Sequence, residues 1–389
     1  MNFNIEAAGT EFEKDREEVR SLYERLQELK DKRKRRGIRY PLAVVLVMVI
    51  VAKLSGEDEV RGIAEWIAHR AAAFRSALAL KHTKTPHATT ISRVLNEAVE
   101  VEALEEVVAS YFKTQVQAQE ALALDGKALR GTIEPGQTRG QHLLAVYATQ
   151  TGVVVGQMAV DEKANEIVVA PELLKTLPLT GHVVTGDAMF AQHTLSKQIV
   201  EAQGDYLWII KDNQPSLRAA IERLFASEKC GKAHSPLLTD FQSASSLDKG
   251  HGRLERRCLT SSALLNAYVD WEGIGQVFKI ERQVTHLKSG LVSHQVEYGI
   301  TSLKPDRASA HSLLQLVRDH WHIENGLHYP RDVSFHEDAC QIRWPVAHRA
   351  IAILNNLALG LIRQLDFDFV PSARRFLAAN LPLALQLVC

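Results

Sequence analysis

Hydrophobic positions change their spacing twice along the chain. From Tyr40 to about Gln119 the apolar residues recur at helical intervals, as in "RGIAEWIAHRAAAFRSAL". From 120 to 212, short apolar runs predict a strand, a hairpin around Thr151-Gly152, a helix, a strand, a helix and a strand. Residues 225–305 form a second β-rich tract, after which helical spacing returns. This order predicts an α/β fold with a mixed sheet flanked by helices.

Four parts follow from these changes of pattern. Residues 1–119 are predicted to be helical, 120–224 to form the first part of a sheet-containing core, 225–305 to be a β-rich insertion, and 306–389 to complete the core with helices and a tail. The apolar run Leu42–Ala52 has eleven residues. Because crossing a bilayer takes about twenty residues, this run predicts a buried core helix and no membrane partner.

Composition indicates how the protein can bind a polyanion and in which compartment we expect it. Lys+Arg and Asp+Glu both number 46, so the net charge is zero. Any binding to a polyanion must therefore come from local patches. The four cysteines show no CxxC spacing, which predicts free thiols in a reducing compartment. The N-terminus is acidic and polar, unlike a signal peptide, and we expect a cytoplasmic protein.

A basic arm precedes the first long helix. In "KDKRKRRGIR" seven of ten residues are basic, and the candidates for phosphate contact are Lys32, Arg33, Lys34, Arg35 and Arg36. A solvated charge run is the commoner explanation of such a stretch.

A second candidate for DNA contact follows in the same helical region. In "TPHATTISRVLN", Thr89 or Thr90 could cap a helix that projects Arg93, which is either a DNA-reading residue or part of an ordinary surface helix.

Two aspartates each end an apolar strand run. Asp125 closes "ALALD" and Asp187 closes "GHVVTGD". A charge at such a place is costly to bury unless it is paired or bound to a metal. If the strands are neighbours, both carboxylates face one point, and Glu324 on a later helix adds a third. Oxygen ligands on separate elements suit Mg²⁺ or Mn²⁺, and two such ions about 3.5–4 Å apart support phosphoryl transfer.

The stretch "HWHIENGLHYPRDVSFHEDA" surrounds the third acid. Read as a helix, it puts His320, Glu324 and His328 on one face, so a zinc site made of these three residues is an alternative. Pro330 predicts that the helix kinks or ends near Tyr329. The neighbouring tryptophan, at position 321, is predicted to lie in the core, with a wedge that stacks on a base as the alternative.

Further basic residues stand near the predicted strands. Lys127 and Arg130 follow the first acid, and Lys211 follows a later strand. Each is either a substrate-phosphate contact or a solvated loop residue. In the insertion, "KGHGRLERR" offers the candidates His251, Arg253 and Arg256 for DNA contact. A cross-strand ladder of ion pairs is the alternative for that stretch.

Several motifs together resemble bacterial insertion-sequence transposases of the DDE type, most of all the H-repeat-associated group. They are "ALDGKALRGT", "EKANEI", "VVTGDAMFAQ", "YLWIIKDNQP", "HGRLERR" and "HWHIENGLHYPRDVSFHEDACQIR". The resemblance extends from "LSGEDEVRGIAEW" to "SARRFLAANLPLALQL", nearly the whole chain.

The resemblance implies a ribonuclease-H-like catalytic core split by a β-rich insertion before the last acid. It also implies that Asp125, Asp187 and Glu324 carry the metal-binding triad. Related transposases place tyrosine, arginine and lysine around the last acid, whereas Val317, His320 and Arg331 occupy those positions here. His320 and Arg331 are therefore hypothetical phosphate contacts, and of this motif only Glu324 carries over.

The function implied is DNA transposition. We expect metal-dependent cleavage at the ends of a transposon and attack of the freed 3′-hydroxyl on target DNA, with two Mg²⁺ or Mn²⁺ ions as cofactors. Double-stranded DNA is the expected partner, residues 1–119 the expected DNA-binding domain, and a homodimer the expected synaptic form. The alternatives are a transposase-derived DNA-binding protein that does not cut, and a nuclease without strand transfer.

Overall fold

A computed structural model of the chain describes residues 21–389 except 37, 134–135, 137, 162–164, 229–239, 251, 341, 343, 366 and 368. The chain forms two compact units. One combines the described residues up to Tyr111 with Ser334–Cys389, and the other is Phe112–Val333. The C-terminal helices therefore group with the N-terminal ones, while the functional division at residues 119, 224 and 305 stays a prediction.

The first unit begins with helices, as the spacing of apolar residues predicts. Ser21 and Glu24 cap the first of them reciprocally. The helices are α1 (Leu22–Gln27), α2 (Leu42–Leu54), α3 (Val60–His69), α4 (Ala71–Ala77), α5 (Ala88–Arg93) and α6 (Val101–Lys113), with a π-turn at Val94–Ala98. All thirteen residues of α2 are buried, which confirms the core helix predicted from Leu42–Ala52.

The second unit is built on one sheet of nine strands, in the order β3-β2-β1-β4-β5-β9-β8-β7-β6. Strand β1 pairs in parallel with β4, which pairs in parallel with β5, and the other neighbours are antiparallel. The strands are β1 (Ala121–Ala128), β2 (His142–Ala148), β3 (Val153–Val160), β4 (Val183–Gly186), β5 (Asp205–Ile210), β6 (Gln242–Gly250), β7 (Arg253–Ser262), β8 (Gln276–His286) and β9 (Val292–Thr301). The mixed sheet and its hairpin, with Gly152 at φ +78°, confirm the predicted α/β class.

The β-rich tract does not form a separate sheet. Its last strand, β9, pairs with β5 from Leu207↔Thr301 to Ile210↔Tyr298. A continuous apolar cluster accordingly runs under both halves of the sheet and includes Leu207, Phe278 and Leu313. The inserted strands are thus tied to the central strands by hydrogen bonds and by burial of apolar surface.

Among the residues that the structure describes, five α-helices accompany the sheet. They are α7 (Glu166–Lys175), α8 (His193–Glu201), α9 (Pro215–Glu228), α10 (Ala310–His320) and α11 (Tyr329–Val333). Asn165 caps α7 by accepting from the Val168 amide. Of the two outcomes predicted near Tyr329, a kink or an end, the end is wrong, because a π-turn at Glu324–His328 interrupts the regular helix and leads directly into α11. The Tyr329 amide donates to the Glu324 carbonyl in the i→i+5 pattern, and Pro330 follows as the second residue of α11.

The chain ends in three helices of the first unit, α12 (Pro345–Arg363), α13 (Val370–Ala379) and α14 (Leu381–Gln386). Among the residues described, α12 has the length and apolar content to cross a membrane, yet 83% of its most apolar window is buried within the protein. That degree of burial is typical of a core helix.

Candidate active site

Parallel pairing brings the two aspartates to neighbouring strands. Leu124 of β1 lies opposite Gly186 of β4, and Asp125 and Asp187 each follow by one residue. Both carboxylates therefore lie where the β1–β4 pairing ends. The prediction that Asp125 stands at the end of its strand is wrong, since β1 continues to Ala128 along β2. The side chains are 31% and 52% exposed, respectively.

The π-turn after α10 carries the third acid and a histidine to the same place. Ligand atoms of Asp125, Glu324 and His328 all lie within 4.8 Å of one another. His328 Nε2 is 3.2 Å from Asp125 Oδ2, and the ring is 5% exposed. Glu324 is exposed to solvent. Asp187 does not belong to this close group.

A second histidine lies beside Asp187. His320 Nδ1 is 3.1 Å from Thr185 Oγ1, and its Nε2 is 4.0 Å from Asp187 Oδ1. Burial lowers the pKa of His320, and the negative charges of Asp187 and then Asp125 oppose that shift. The net lowering favours a neutral ring at neutral pH. His320 therefore contacts the β4 side of the site, whereas His328 contacts the β1 side.

The donor set fits a divalent cation. Within the described part of the chain, none of Asp125, Asp187 and Glu324 forms a salt bridge with a lysine or an arginine. Asp125 and Glu324, which lie close together, repel one another unless a positive charge comes from outside, and Asp187 adds a third negative charge on the neighbouring strand. Carboxylate oxygens suit Mg²⁺ and Mn²⁺, and one imidazole among them is compatible with a transition metal.

Of the predicted phosphate contacts near this site, one is in a salt bridge and another is buried. Lys127 Nζ is 2.6 Å from Asp332 Oδ1, and its side chain is 10% exposed. Arg331 is fully buried, so it does not face solvent in this structure. Arg130 and Lys211 are exposed.

The insertion carries the ladder of ion pairs that was the alternative for its basic stretch. Glu255 pairs with Arg257 and Arg282, and Asp248 pairs with Arg257 and Arg318. Two of the predicted DNA contacts, Arg253 and Arg256, are exposed on β7. The third, His251, lies outside the described residues.

The basic arm is partly anchored. Arg33 bonds to both carboxylate oxygens of Asp31 and donates to the Tyr40 carbonyl at 2.9 Å. Lys32 approaches Glu100 at 3.9 Å. The remaining predicted contacts of the first unit, Lys34, Arg35, Arg36 and Arg93, are exposed.

The cap of the helix that carries Arg93 differs from the sequence-based expectation. The N-cap of α5 is His87, whose Nδ1 accepts from the Thr89 amide at 3.3 Å. Neither Thr89 nor Thr90 caps this helix.

Sequence reasoning placed two side chains of the active-site segment incorrectly or incompletely. Trp321 is 55% exposed, so its predicted core position is wrong. The sequence suggests His328 only as a zinc ligand, together with His320 and Glu324. Its contact with Asp125 depends on a long-range approach, although its position four residues after Glu324 was the available signal.

Comparisons with known proteins agree with these motifs. The family model described as "Transposase DDE domain" matches residues 117–361, and the one described as "DDE_Tnp_1-associated" matches residues 23–112. The H repeat-associated putative transposase YhhI of Escherichia coli (strain K12) is 27% identical, covering 92% of this chain and 94% of that one. The putative transposase YncI of Escherichia coli O157:H7 is 28% identical, covering 89% and 88%.

One solved structure also shows a likeness. It is a piggyBac transposase synaptic complex with hairpin DNA, which is 10% identical with a TM-score of 0.43 and covers 94% of this chain and 78% of that one. The family assignment rests on sequence, because the family model of the DDE domain matches more than half of the chain. The chain belongs to the DDE transposase family, in which a divalent metal is required.

Proposed function

We propose that this chain catalyses metal-dependent DNA strand cleavage at transposon ends and transfer of the freed strand into target DNA. Asp125, Asp187 and Glu324 are the catalytic acids. Two Mg²⁺ or Mn²⁺ ions held by them would supply an activated oxygen nucleophile and neutralise the leaving oxygen. The substrate is double-stranded DNA, and two ends require two copies of the chain in the synaptic complex.

The observation that carries this proposal is the position of Asp125. It adjoins Asp187 across the parallel β1–β4 pair and lies within 4.8 Å of Glu324 and His328. A residue between the other two acids is suited to serve both ions. The order β3-β2-β1-β4-β5, with β1, β4 and β5 parallel, is the arrangement expected of a ribonuclease-H-like core.

The two histidines orient the acids. His328 is almost fully buried and touches Asp125 from the π-turn, so it restricts the rotamers of that carboxylate. His320, fixed by Thr185, stands at 4.0 Å from Asp187 and could donate to it through water. We propose that His328 completes the ligand set of Asp125 and Glu324 and that His320 positions Asp187.

Among the remaining candidates, the exposed cations Arg130, Lys211, Arg253 and Arg256 are proposed DNA contacts. Their side chains are exposed to solvent on the second unit, where phosphates can approach them. Lys127 is a weaker candidate because Asp332 already neutralises it. The fully buried Arg331 would need to be uncovered before it could contact DNA.

The test is a strand-cleavage and strand-transfer assay with purified protein. A labelled duplex carrying the end of the element that encodes the chain is incubated with a target plasmid and Mg²⁺ or Mn²⁺. Transfer products that disappear in Glu324→Gln support the proposal. Cleavage without joining would indicate the nuclease alternative. Binding with no cleavage in the wild type would indicate a DNA-binding protein that does not cut.

A further inference from the structure

The first unit contains a groove of about 1270 Å³ that is separate in sequence from the catalytic acids. Its walls come from the basic arm, from α3, from the segment 83–87 and from α5. Basic residues outnumber acidic ones among the lining side chains by seven to two. The protein as a whole has no net charge, so this excess is a local concentration of positive potential.

Most of that positive charge is not neutralised by the protein. Five lining cations form no salt bridge with any residue that the structure describes: Lys34, Arg36, Arg39, Lys84 and Arg93. The other two are paired, Arg33 with Asp31 and Arg61 with Glu65. Like charges gathered in this way repel one another, and an external polyanion relieves that repulsion.

The groove is built by defined contacts rather than by a loose arm. Arg33 bonds to the Tyr40 carbonyl at 2.9 Å, and the Tyr40 hydroxyl donates to the Lys84 carbonyl. Tyr40 is 5% exposed and meets the edge of His82. These bonds tie the arm to the segment that forms the opposite wall. The chain at Arg33, Tyr40 and Lys84 is therefore held in place before any ligand arrives, which lowers the entropy cost of binding.

One wall carries a helical face. Thr90 and Arg93 of α5 lie one turn apart, and both line the groove. An arginine and a hydroxyl on one helix face can contact phosphates or base edges. Arg93 and the arm, which sequence reasoning treated as two separate candidates, therefore belong to one surface.

We infer that this groove binds the sugar-phosphate backbone of double-stranded DNA, and that its principal contacts are Lys34, Arg36, Arg39, Lys84 and Arg93. The inference rests on the proposed function only for the identity of the DNA. The polyanion site itself follows from the lining charges. With about five phosphates neutralised, log K should fall against log salt concentration with a slope of roughly −4 to −5.

The arm offers a matched control. Lys34 and Arg36 line the groove, whereas Lys32 and Arg35, in the same five-residue stretch, do not. The double variants Lys34→Gln/Arg36→Gln and Lys32→Gln/Arg35→Gln remove the same charge from the same segment. If the arm is only a solvated charge run, both doubles should behave alike.

The experiment measures fluorescence anisotropy with a labelled 30-base-pair duplex of mixed sequence at 50–200 mM salt, without divalent ions. We expect the Lys34→Gln/Arg36→Gln protein to lose about two units of salt slope. Wild-type affinity should then fall about tenfold more than that of the variant across this range. The Lys32→Gln/Arg35→Gln protein should keep nearly the full slope. Arg93→Gln, on the other wall, should lose about one unit.

Equal slopes for the two arm doubles, or tighter binding of single-stranded DNA of the same length, would overturn the inference. Circular dichroism of each variant checks that the unit is folded, and all substituted side chains are exposed. The outcome is independent of catalysis, because the assay omits metal and does not use Asp125, Asp187 or Glu324. Failure of the cleavage assay with intact groove binding would reject the proposed function alone.

Discussion

Each unit contains a charged cluster, and the two clusters differ in whether lysine or arginine side chains pair with their carboxylates. In the first unit Asp58 accepts from Arg374 at 2.7 Å and 3.2 Å and lies 3.7 Å from the fully buried Lys53. In the second unit Asp125, Asp187 and Glu324 have histidines nearby and no salt bridge to any described lysine or arginine. The first cluster is neutralised by the protein itself, and the second is not.

The difference indicates which cluster is structural. Burial lowers the pKa of Lys53, and the negative charge of Asp58 acts against that shift. Arg374 also donates to the Lys53 carbonyl at 3.0 Å and stacks 4.4 Å from the Phe335 ring centre. Asp58 thus holds α2 and α13 to the loop at Phe335. An acid cluster without such cations contributes little to folding and is available to an ion from solution.

The largest expected effect is on activity in the second cluster. Glu324→Gln keeps the shape of the side chain but removes its charge, so strand cleavage should fall by about 10³-fold or more. The melting temperature should stay within error of the wild type, because no internal salt bridge is lost. Cleavage is measured on the end duplex with Mg²⁺. Cutting at the wild-type rate by pure Glu324→Gln protein would contradict the role of this acid.

The next effect is on stability in the first cluster. Asp58→Ala leaves Lys53 and Arg374 enclosed without their shared partner, and should lower the free energy of unfolding by about 3–5 kcal/mol. Urea denaturation of the full chain measures it. Lys53→Met is the control, since it removes the buried charge and keeps the volume, and it should be neutral or stabilising. A loss of stability in Lys53→Met as large as in Asp58→Ala would contradict this account.

A bound metal cation should provide the positive charge that the second cluster lacks, as Arg374 does for Asp58 in the first. Mn²⁺ at about a hundred times its dissociation constant should stabilise the wild type by about 2.7 kcal/mol. Asp125→Asn should show little of this gain, although without metal it should be as stable as the wild type. Thermal unfolding with and without Mn²⁺ separates these outcomes. An equal metal-induced shift in both proteins would place the ion elsewhere.

The smallest effect concerns the histidine contact. His328→Ala removes the ring that touches Asp125, and should weaken Mn²⁺ binding by about 10- to 100-fold. Isothermal titration with Mn²⁺ gives the affinity. His322→Ala, which changes an exposed ring on the same segment, is the matched control. Unchanged Mn²⁺ affinity in His328→Ala would reduce this residue to a packing role.

Local pattern predicted much of the fold. The fully apolar α2, the hairpin at Gly152 and the runs that end at Asp125 and Asp187 are all encoded in a few consecutive residues. The meeting of the two aspartates required one further step, namely that their strands pair in parallel. The sequence supports that step because a helix-containing connection separates the two runs.

Long-range partners could not be predicted. No local feature of β9 indicates that it pairs with β5 rather than within a separate sheet. The burial of Arg331 depends on how the π-turn redirects the residues that follow it, and the exposure of Trp321 depends on which side of the end of α10 packs against the protein. The groove lining likewise depends on Tyr40 reaching the Lys84 carbonyl, forty-four residues away.

Backbone pairing runs without interruption from β5 through β9 to β8. The insertion is therefore a continuation of the central sheet and not a separately attached domain. Strand β8 has eleven residues, roughly 35 Å at the usual rise, and β9 overhangs β5 by the residues before Tyr298. Arg253 on β7 is therefore connected to the strands that carry the acids by an unbroken series of paired strands. Bending of the insertion relative to the catalytic edge would have to deform this pairing, of which the β5–β9 part is four residue pairs long.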